Sequence, residues 1–141
     1  MSDNLSKIES FLDEHHVLSL ATTDGEQLSV CSLFYAYVKD EMKFIVASGD
    51  DTQHIKNINK NKNIAGNIFL ETKIIGKIQG VQFSGEFSKL DDLKLTKLYF
   101  KAFPYALVMK PKLFQIQVNY FKMTDNRLGF GKKIIWQEPS V

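Results

Sequence analysis

The stretch VLSLATTDGEQLSVCSLFYAYVKDEMKFIVA, residues 17–47, contains three apolar segments separated by two polar turns. The segments are Val17–Thr22, Gln27–Val38 and Met42–Ala47, and they are rich in the β-branched and aromatic residues typical of strands. An Asp-Gly pair, Asp24-Gly25, stands between the first two segments and is a strong hairpin signal. A second polar turn, Lys39-Asp40-Glu41, precedes the third segment. The stretch therefore predicts an antiparallel meander of three strands.

Three helices are predicted around these strands. Ser6-Lys7-Ile8-Glu9 has the pattern of a capping box, so the first helix is expected to begin there and to end near His15. Thr52 is a candidate N-cap for a short helix that reaches about Lys62. Asp91 is the expected cap of a third helix, along which apolar residues recur at helical spacing.

The remaining strands are predicted from apolar runs bounded by turn residues. They are Ile64–Leu70, Gly76–Leu90, Leu113–Val118 and Phe121–Thr124. Gly80 and Gly85 lie inside the second of these runs, where glycines usually mark a bulge or bend. Pro104 and Pro111 bound an irregular segment, and Asp125–Val141 is expected to be a tail.

The order of elements predicts a mainly β, α+β protein. Hairpins dominate, which argues against a parallel βαβ fold. A six- or seven-stranded antiparallel barrel with flanking helices is the economical arrangement, because closure removes exposed strand edges. No repeat or linker interrupts the chain, so residues 1–141 are expected to form one domain.

Composition and charge exclude several classes of function. A net charge of +2, with lysines spread along the chain, disfavours nucleic-acid binding. No apolar run approaches the roughly 18 residues of a membrane span. The lone Cys31 cannot form an intramolecular disulfide, and Met1–Glu14 lacks the apolar core of a signal peptide. A cytoplasmic protein is expected.

The sequence contains no recognisable catalytic or metal-binding motif made of side chains. The three histidines and Cys31 do not have zinc-ligand spacing, and there is no phosphate-binding loop, nucleophile elbow or dinucleotide fingerprint. An enzyme of this composition would therefore take its chemistry from a cofactor.

Two long motifs carry a family resemblance. They are GVQFSGE at residues 80–86 and TDNRLGFGKKIIW at residues 124–136, and SGDDTQH at residues 48–54 adds weaker support. With these motifs the chain resembles the pyridoxamine 5'-phosphate oxidase-like, FMN-binding split barrels, and most closely the YhbP family. The resemblance implies a split β-barrel that forms a homodimer, binds FMN in a crevice between subunits and acts as a flavin-dependent oxidoreductase on a small-molecule substrate.

The resemblance also implies which residues contact the cofactor. The phosphate-binding positions of the family fall on a second-strand residue, a hydroxyl at the end of the third strand and a triplet at the helix start: Ser32, Ser48, Thr52, Gln53 and His54. A phosphate near a helix N-terminus is favoured by free N–H groups and by the helix dipole. The flavin ring would lie against the backbone and apolar surface of a second-strand segment, and its edge would meet the fifth strand: Leu33, Phe34, Tyr35, Gly80 and Gln82.

This chain departs from the family at the phosphate. Ser32, Gln53 and His54 stand where typical members place permanent cations. Losing two charge-assisted contacts at about 1.5–3 kcal/mol each would weaken FMN binding by orders of magnitude. The candidate compensating cations are Lys56, Lys132 and Lys133, the last two from across the dimer interface.

Several alternatives remain open at this stage. Thr52 is equally well explained as a plain helix cap, and Trp136 either stacks on a ligand or anchors the tail on the partner subunit. The barrel could instead hold haem or another planar anionic ligand, with His54, His15 or His16 as the axial ligand. The pyridoxamine-phosphate reaction itself is disfavoured, because the tail Gln137–Val141 contains no arginine.

Overall fold

Seven antiparallel strands form one sheet in the computed structural model, which describes residues 3–139. The strands are Val17–Thr23 (β1), Leu28–Val38 (β2), Lys43–Ser48 (β3), Asn63–Phe69 (β4), Gln79–Lys89 (β5), Lys112–Asp125 (β6) and Lys133–Gln137 (β7). Their order is β3-β2-β1-β4-β5-β6-β7, and β3 also pairs with β6. The first six strands therefore close into a barrel, and β7 is an additional strand along β6. The predicted mainly β barrel with flanking helices is confirmed.

Four helices flank the barrel. They are Asp3–Glu14 (α1), Gln53–Lys60 (α2), Leu93–Ala102 (α3) and Ala106–Met109 (α4). The apolar side of α1 is buried in the barrel core, and α3 packs on the outside of β2 and β3. None of the helices within residues 3–139 is long and apolar enough to cross a membrane.

Aromatic rings fill the barrel interior. Phe44 lies at its centre, with ring centroids 4.8 Å from Phe83, 5.0 Å from Tyr35 and 6.2 Å from Phe121. Tilted and edge-on ring pairs of this kind add to the stabilisation from burial alone. The inward positions of the strands are thus committed to the core, and any ligand must bind on the outward positions or at the barrel ends.

Gly85 lies at a β-bulge where β5 crosses β6. The pairing register shifts between Ser84 and Gly85, as expected for a strand glycine. A Cβ atom on Gly85 would lie 2.1 Å from the carbonyl oxygen of Gln117. Only glycine permits this close approach of the two backbones at the bulge.

Two predicted helix caps are wrong. The first helix begins at Asp3, so Ser6 and Glu9 lie inside it and form no capping box. Glu9 is 1% exposed, and its Oε2 accepts a hydrogen bond of 2.8 Å from the Tyr37 hydroxyl. At the third helix Asp92, not Asp91, accepts the first backbone N–H groups. Both errors have one cause, since several polar residues near a helix start fit a cap and only the backbone path chooses among them.

Four predicted segments in the C-terminal part of the chain also differ from the structure. The two predicted strands Leu113–Val118 and Phe121–Thr124 are one strand, β6, because Tyr120 pairs with Ser84 and Asn119 is the extra residue of the bulge instead of part of a turn. The expected tail contains β7, and the segment between Pro104 and Pro111 contains α4. Ser140 and Val141 of the predicted arginine-free tail lie outside the described residues.

Candidate functional site

Two hydroxyls and an imidazole meet where β3 ends and α2 begins. Ser48 Oγ lies 2.7 Å from His54 Nε2, and Thr52 Oγ1 lies 3.2 Å from the same nitrogen and 3.3 Å from Ser48 Oγ. Thr52 is also the N-cap of α2 and accepts from the backbone N–H of Ile55, which confirms the predicted cap. We call Ser48, Thr52 and His54 the hydroxyl cradle.

The hydroxyl cradle fits a phosphate in hydrogen bonding but not in charge. Its two hydroxyls and the N-terminus of α2 are suitable donors for an anion. Burial, however, lowers the pKa of His54, which keeps the imidazole neutral near pH 7. Segment 48–54 contains no lysine or arginine, and its Asp50 forms an ion pair with Lys112. Gln53 is exposed, and its amide donates to Asn57.

The predicted ring-binding residues of β2 alternate between the core side and the outward side of the strand. Phe34 points outward and is 58% exposed, and Ser32 is exposed on the same side. Leu33 packs against the core, and Tyr35 is buried with its hydroxyl donating to the Leu12 carbonyl. Of the three side chains predicted to lie against the flavin ring, therefore, only that of Phe34 is exposed on the outward side of β2.

The backbone of β2 is free on one edge. In the described part of the chain, β3 pairs with β2 only along Tyr35–Val38, so the preceding residues have a strand neighbour, β1, on one side alone. Unpaired strand edges present N–H and C=O groups to whatever covers them. No other strand therefore competes for the predicted backbone contact from segment 32–34.

One row of outward positions crosses six strands and connects the predicted residues of β2 and β5. Each member is the direct register partner of the next, and the members in order are Ser32, Ser19, Asn67, Gln82, Lys122 and Ile135. We call this set the cross-strand row. Strands lie about 4.8 Å apart, so Ser32 and Lys122 are separated by about 19 Å along the sheet.

Shallow clefts lie on both sides of the cross-strand row. The larger, of about 570 Å³, extends over Ser19, Asn67 and Gln82 to Tyr120. The smaller, of about 190 Å³, includes Gly80 and Thr124. No aspartate or glutamate lines either cleft. We call the cross-strand row and the outward side chains beside it the outer face. On this face Leu28 is 80% exposed and Val30 is 74% exposed.

The predicted residues of the last motif have different surroundings. Lys133 Nζ donates to Thr124 Oγ1 at 3.0 Å, which places it at the edge of the smaller cleft. Lys132 is exposed in the preceding loop. Trp136 points inward, with its ring centroid 5.9 Å from that of Phe121 in the core of its own subunit.

The structure thus separates the predicted site residues into two groups. The hydroxyl cradle and Ser32 lie toward β2 and β3, and Gly80, Gln82 and Lys133 lie toward β5–β7. Sequence reasoning missed Ser19, Asn67 and Lys122, which connect and extend these groups. Lys122 could have been found from strand parity, because it has the same outward parity as Thr124 in the motif that follows it.

A third cleft, of about 650 Å³, lies between the end of α1 and α3. Lys101 and Phe103 line one side, and His15 and His16 line the other. The His15 ring stacks on Phe11 at 4.0 Å, with Nδ1 2.8 Å from the Phe11 carbonyl oxygen. The cleft meets the outer face through ring contact of Phe103 with Phe34 at 5.5 Å.

No metal centre is formed by the residues that the structure describes. Within residues 3–139, no group of three or more His, Cys, Asp or Glu side chains could hold a metal ion. The surface residues of the predicted site are hydroxyls, amides, the Phe34 ring and lysines, and their N–H and O–H groups can donate hydrogen bonds.

Comparison with known proteins identifies the family. The family model described as pyridoxamine 5'-phosphate oxidase matches residues 5–120. A UPF0306 protein from Photorhabdus laumondii is 35% identical over 139 residues, which cover 96% of this chain and 97% of that protein. A UPF0306 protein from Cronobacter sakazakii is 36% identical over 137 residues, which cover 95% of each chain.

Solved structures share the fold at low sequence identity. A haem-binding protein from Mycobacterium smegmatis superposes with a TM-score of 0.79 at 12% identity, over 97% of this chain and 59% of that chain. A FAD-binding protein from Mesorhizobium loti gives 0.72 at 16% identity, over 87% and 92% of the two chains. The haem storage protein HutZ from Vibrio cholerae gives 0.66 at 17% identity, over 81% and 89%. The chain belongs to the pyridoxamine 5'-phosphate oxidase family of split barrels and, within it, to the UPF0306 proteins.

Proposed function

We propose that the protein is a homodimer that binds FMN in the crevice between its subunits and acts as a flavin-dependent oxidoreductase on a small molecule. The observations that carry this proposal are the cross-strand row, which runs from Ser32 on β2 to Gln82 on β5 without a carboxylate, and the hydroxyl cradle at the end of the neighbouring strand β3. Family membership and the flavin-binding structural relative support the same assignment.

The outer face supports association with a second copy of the chain. Leu28, Val30 and Phe34 are more than half exposed on outward positions of β2, with Ser32 between the last two. Exposed apolar patches of this kind usually mark an interaction site. A homodimer pairs the same patch with itself about a two-fold axis, and a face without carboxylates or large charged clusters can do so with little desolvation cost.

FMN would be held by residues from both ends of the outer face. Ser48 and Thr52 would donate to the phosphate, and the free edge of β2 with Phe34 would lie against the ring. Gln82 of the partner subunit would donate to the ring edge. FMN, when bound, supplies a hydride acceptor, and the protein supplies orientation and exclusion of water. The substrate would enter the 650 Å³ cleft beside Phe103.

Absorbance of the purified protein tests this proposal first. We expect flavin bands in the spectrum, or quenching of flavin fluorescence when FMN is titrated into the colourless protein. Saturable quenching with a Kd in the micromolar range is the expected result, because the cradle has donors but no permanent cation. An absence of quenching up to about 50 μM FMN would refute the FMN assignment.

Haem or another planar anion is a second candidate ligand. It is favoured by the lack of cations in segment 48–54 and by the likeness to two haem-binding structures. His16 would be the axial ligand, because it is exposed beside the 650 Å³ cleft while His54 Nε2 is occupied by two hydroxyls. Hemin titration distinguishes the candidates: a Soret band that is lost in His16→Ala supports haem, and an unchanged hemin spectrum rejects it.

A further inference from the structure

We propose that residues 93–112, which form α3 and α4 between β5 and β6, dock the protein on an anionic membrane surface, with the side chains of α4 in the lipid interface. We call these residues the α3–α4 segment. The contact is peripheral and requires no membrane-spanning helix. The inference goes beyond the proposed function and does not depend on it, because it needs neither the cofactor nor any residue assigned to it.

The tip of the α3–α4 segment is apolar and exposed. Tyr105 is 90% exposed, Met109 81%, Val108 79% and Leu107 56%. A single exposed apolar side chain is ordinary in a globular protein, whereas a contiguous group of large ones usually marks an interaction site. These four side chains belong to five consecutive residues and form one such group, which we call the apolar tip.

The backbone holds the apolar tip away from the core. Phe103 and Ala106, at the base of α4, pack against a buried cluster that includes Tyr99. The N–H of Ala106 donates to the Phe103 carbonyl oxygen at 3.1 Å, and that of Lys110 donates to the Leu107 carbonyl oxygen at 3.2 Å. Lys110 has a left-handed conformation, with φ of 47°, that ends the helix. The apolar tip is therefore presented on a helical turn that the core anchors.

The geometry of α4 favours a lipid surface over a folded protein as the occupant. Successive residues of a helix point about 100° apart around its axis, so Leu107, Val108 and Met109 project in three directions. The surface of a folded partner would cover one side of this turn and leave the others in water. A lipid interface surrounds an inserted tip and removes all three side chains from water.

The charge of the α3–α4 segment identifies the membrane as anionic. The segment has no aspartate or glutamate and five exposed lysines: Lys94, Lys97, Lys101, Lys110 and Lys112. The first three recur at i, i+3 and i+7 and therefore share one face of α3. Among the ion pairs of residues 3–139, only Lys112 of the five has a partner, which is Asp50. Four lysines are thus available to anionic headgroups.

The apolar tip and the lysines are two signals that strengthen each other. A lysine near an anionic membrane surface raises binding about fivefold, and inserted apolar side chains add to this attraction. A second copy that paired this segment with itself would oppose lysines with lysines, which is repulsive. The combination of apolar and cationic groups therefore fits the boundary between anionic headgroups and acyl chains.

Co-sedimentation with vesicles tests the apolar tip. Wild-type protein should bind vesicles of phosphatidylglycerol and phosphatidylcholine at least about tenfold more strongly than vesicles of phosphatidylcholine alone. The double variant Val108→Glu/Met109→Glu should lose about tenfold or more of this binding, because carboxylates enter the interface. Phe130→Glu makes the same kind of change at a position that is 82% exposed after β6, and should stay within about twofold of wild type.

A second pair of variants tests the charge. Lys94→Gln/Lys97→Gln leaves the apolar tip intact and should weaken binding to the anionic vesicles about tenfold. Lys39→Gln/Lys60→Gln removes the same charge from exposed positions outside the segment and should change binding less than about twofold. The difference between the two variants should shrink as the salt concentration rises, because salt screens the attraction.

A tryptophan reporter locates the contact. Tyr105→Trp adds a fluorophore at the apolar tip, and its emission should be quenched by vesicles that contain brominated phosphatidylglycerol. Wild-type protein is the control, because its single tryptophan, Trp136, packs against Phe121 in the core and should not be quenched.

Three results would overturn the inference: equal binding to both kinds of vesicle, unchanged binding of Val108→Glu/Met109→Glu, or no quenching of Tyr105→Trp. Light scattering supplies a fourth, since a dimer that becomes monomeric in Val108→Glu/Met109→Glu would make the tip an interface between copies of this chain. Vesicle binding is measured without added flavin, so a failure of the proposed FMN function and a failure of this inference give separate results.

Discussion

His54 is the one titratable group of the hydroxyl cradle, and its protonation state decides how the cradle meets a phosphate. Burial lowers its pKa, so the ring gains its positive charge only below the usual histidine range. We expect the FMN affinity of wild-type protein, relative to His54→Asn, to rise as the pH falls from about 8 to about 5.5. The variant keeps a polar side chain and corrects for titration of the phosphate itself. A pH-independent ratio in isothermal titration would exclude imidazolium contact.

Tyr37 and Glu9 form a buried pair whose loss can be measured as stability. The Tyr37 hydroxyl is the hydrogen-bond donor to Glu9 Oε2, and Oε1 has no partner among the described residues. Burial and the contact with Glu9 raise the pKa of Tyr37, so it remains a donor at all ordinary pH values. Tyr37→Phe leaves the carboxyl group wholly unsatisfied and should lower the free energy of unfolding by about 1–3 kcal/mol.

The control for this prediction is Tyr120→Phe. Tyr120 is partly exposed and its hydroxyl has no side-chain partner within residues 3–139, so the same atom is removed without stranding a buried group. The change that Tyr120→Phe makes in the free energy of unfolding, measured by urea denaturation, should stay within about 0.5 kcal/mol. Equal costs for both variants would show that the Glu9 contact contributes nothing specific.

At the scale of elements, the close approach of β5 to β6 at the bulge depends on Gly85. Gly85→Ala places a Cβ atom 2.1 Å from a backbone oxygen that cannot move without breaking the β5–β6 pairing. We expect a loss of about 1–3 kcal/mol in the free energy of unfolding. Gly76→Ala is the matched control, because its Cβ would meet no atom within 4 Å. If both variants unfold at the same temperature as wild type, the close contact at the bulge does not make Gly85 necessary for stability.

The elements themselves were largely predictable. Alternation of apolar residues and the Asp24-Gly25 turn identified β1 and β2 to within one residue, because these signals are local. β7 was missed because its five residues have no turn signal of their own, and they become a strand only by pairing with β6. The division of β6 into two strands failed for the related reason that polar Asn119 and Tyr120 resemble a turn.

At the scale of the molecule, the outer face should form the dimer. Val30→Glu introduces a carboxylate at a position that is 74% exposed, and we expect the protein to become monomeric and FMN affinity to fall more than tenfold. Leu93→Glu makes the same change at a 70% exposed position on α3 and should leave the dimer intact. Light scattering coupled to size-exclusion chromatography measures the oligomeric state of both variants. A dimeric Val30→Glu variant with unchanged FMN affinity would reject this face as the interface.

Sequence alone determined the fold class, the hairpins and the family, because these depend on local periodicity, on turn chemistry and on two long motifs. The family resemblance also predicts that Ser32, Gln53 and His54 stand where typical members place cations. Only the tertiary structure decided which side chains lie together. Tyr35 and Trp136 point toward the core. Ser48 and Thr52 lie within hydrogen-bond distance of His54, and Ser32 is in register with Gln82 and Lys122 across the sheet. The reason is that register between strands distant in sequence is set by barrel closure and by the bulge at Gly85, which no local pattern encodes.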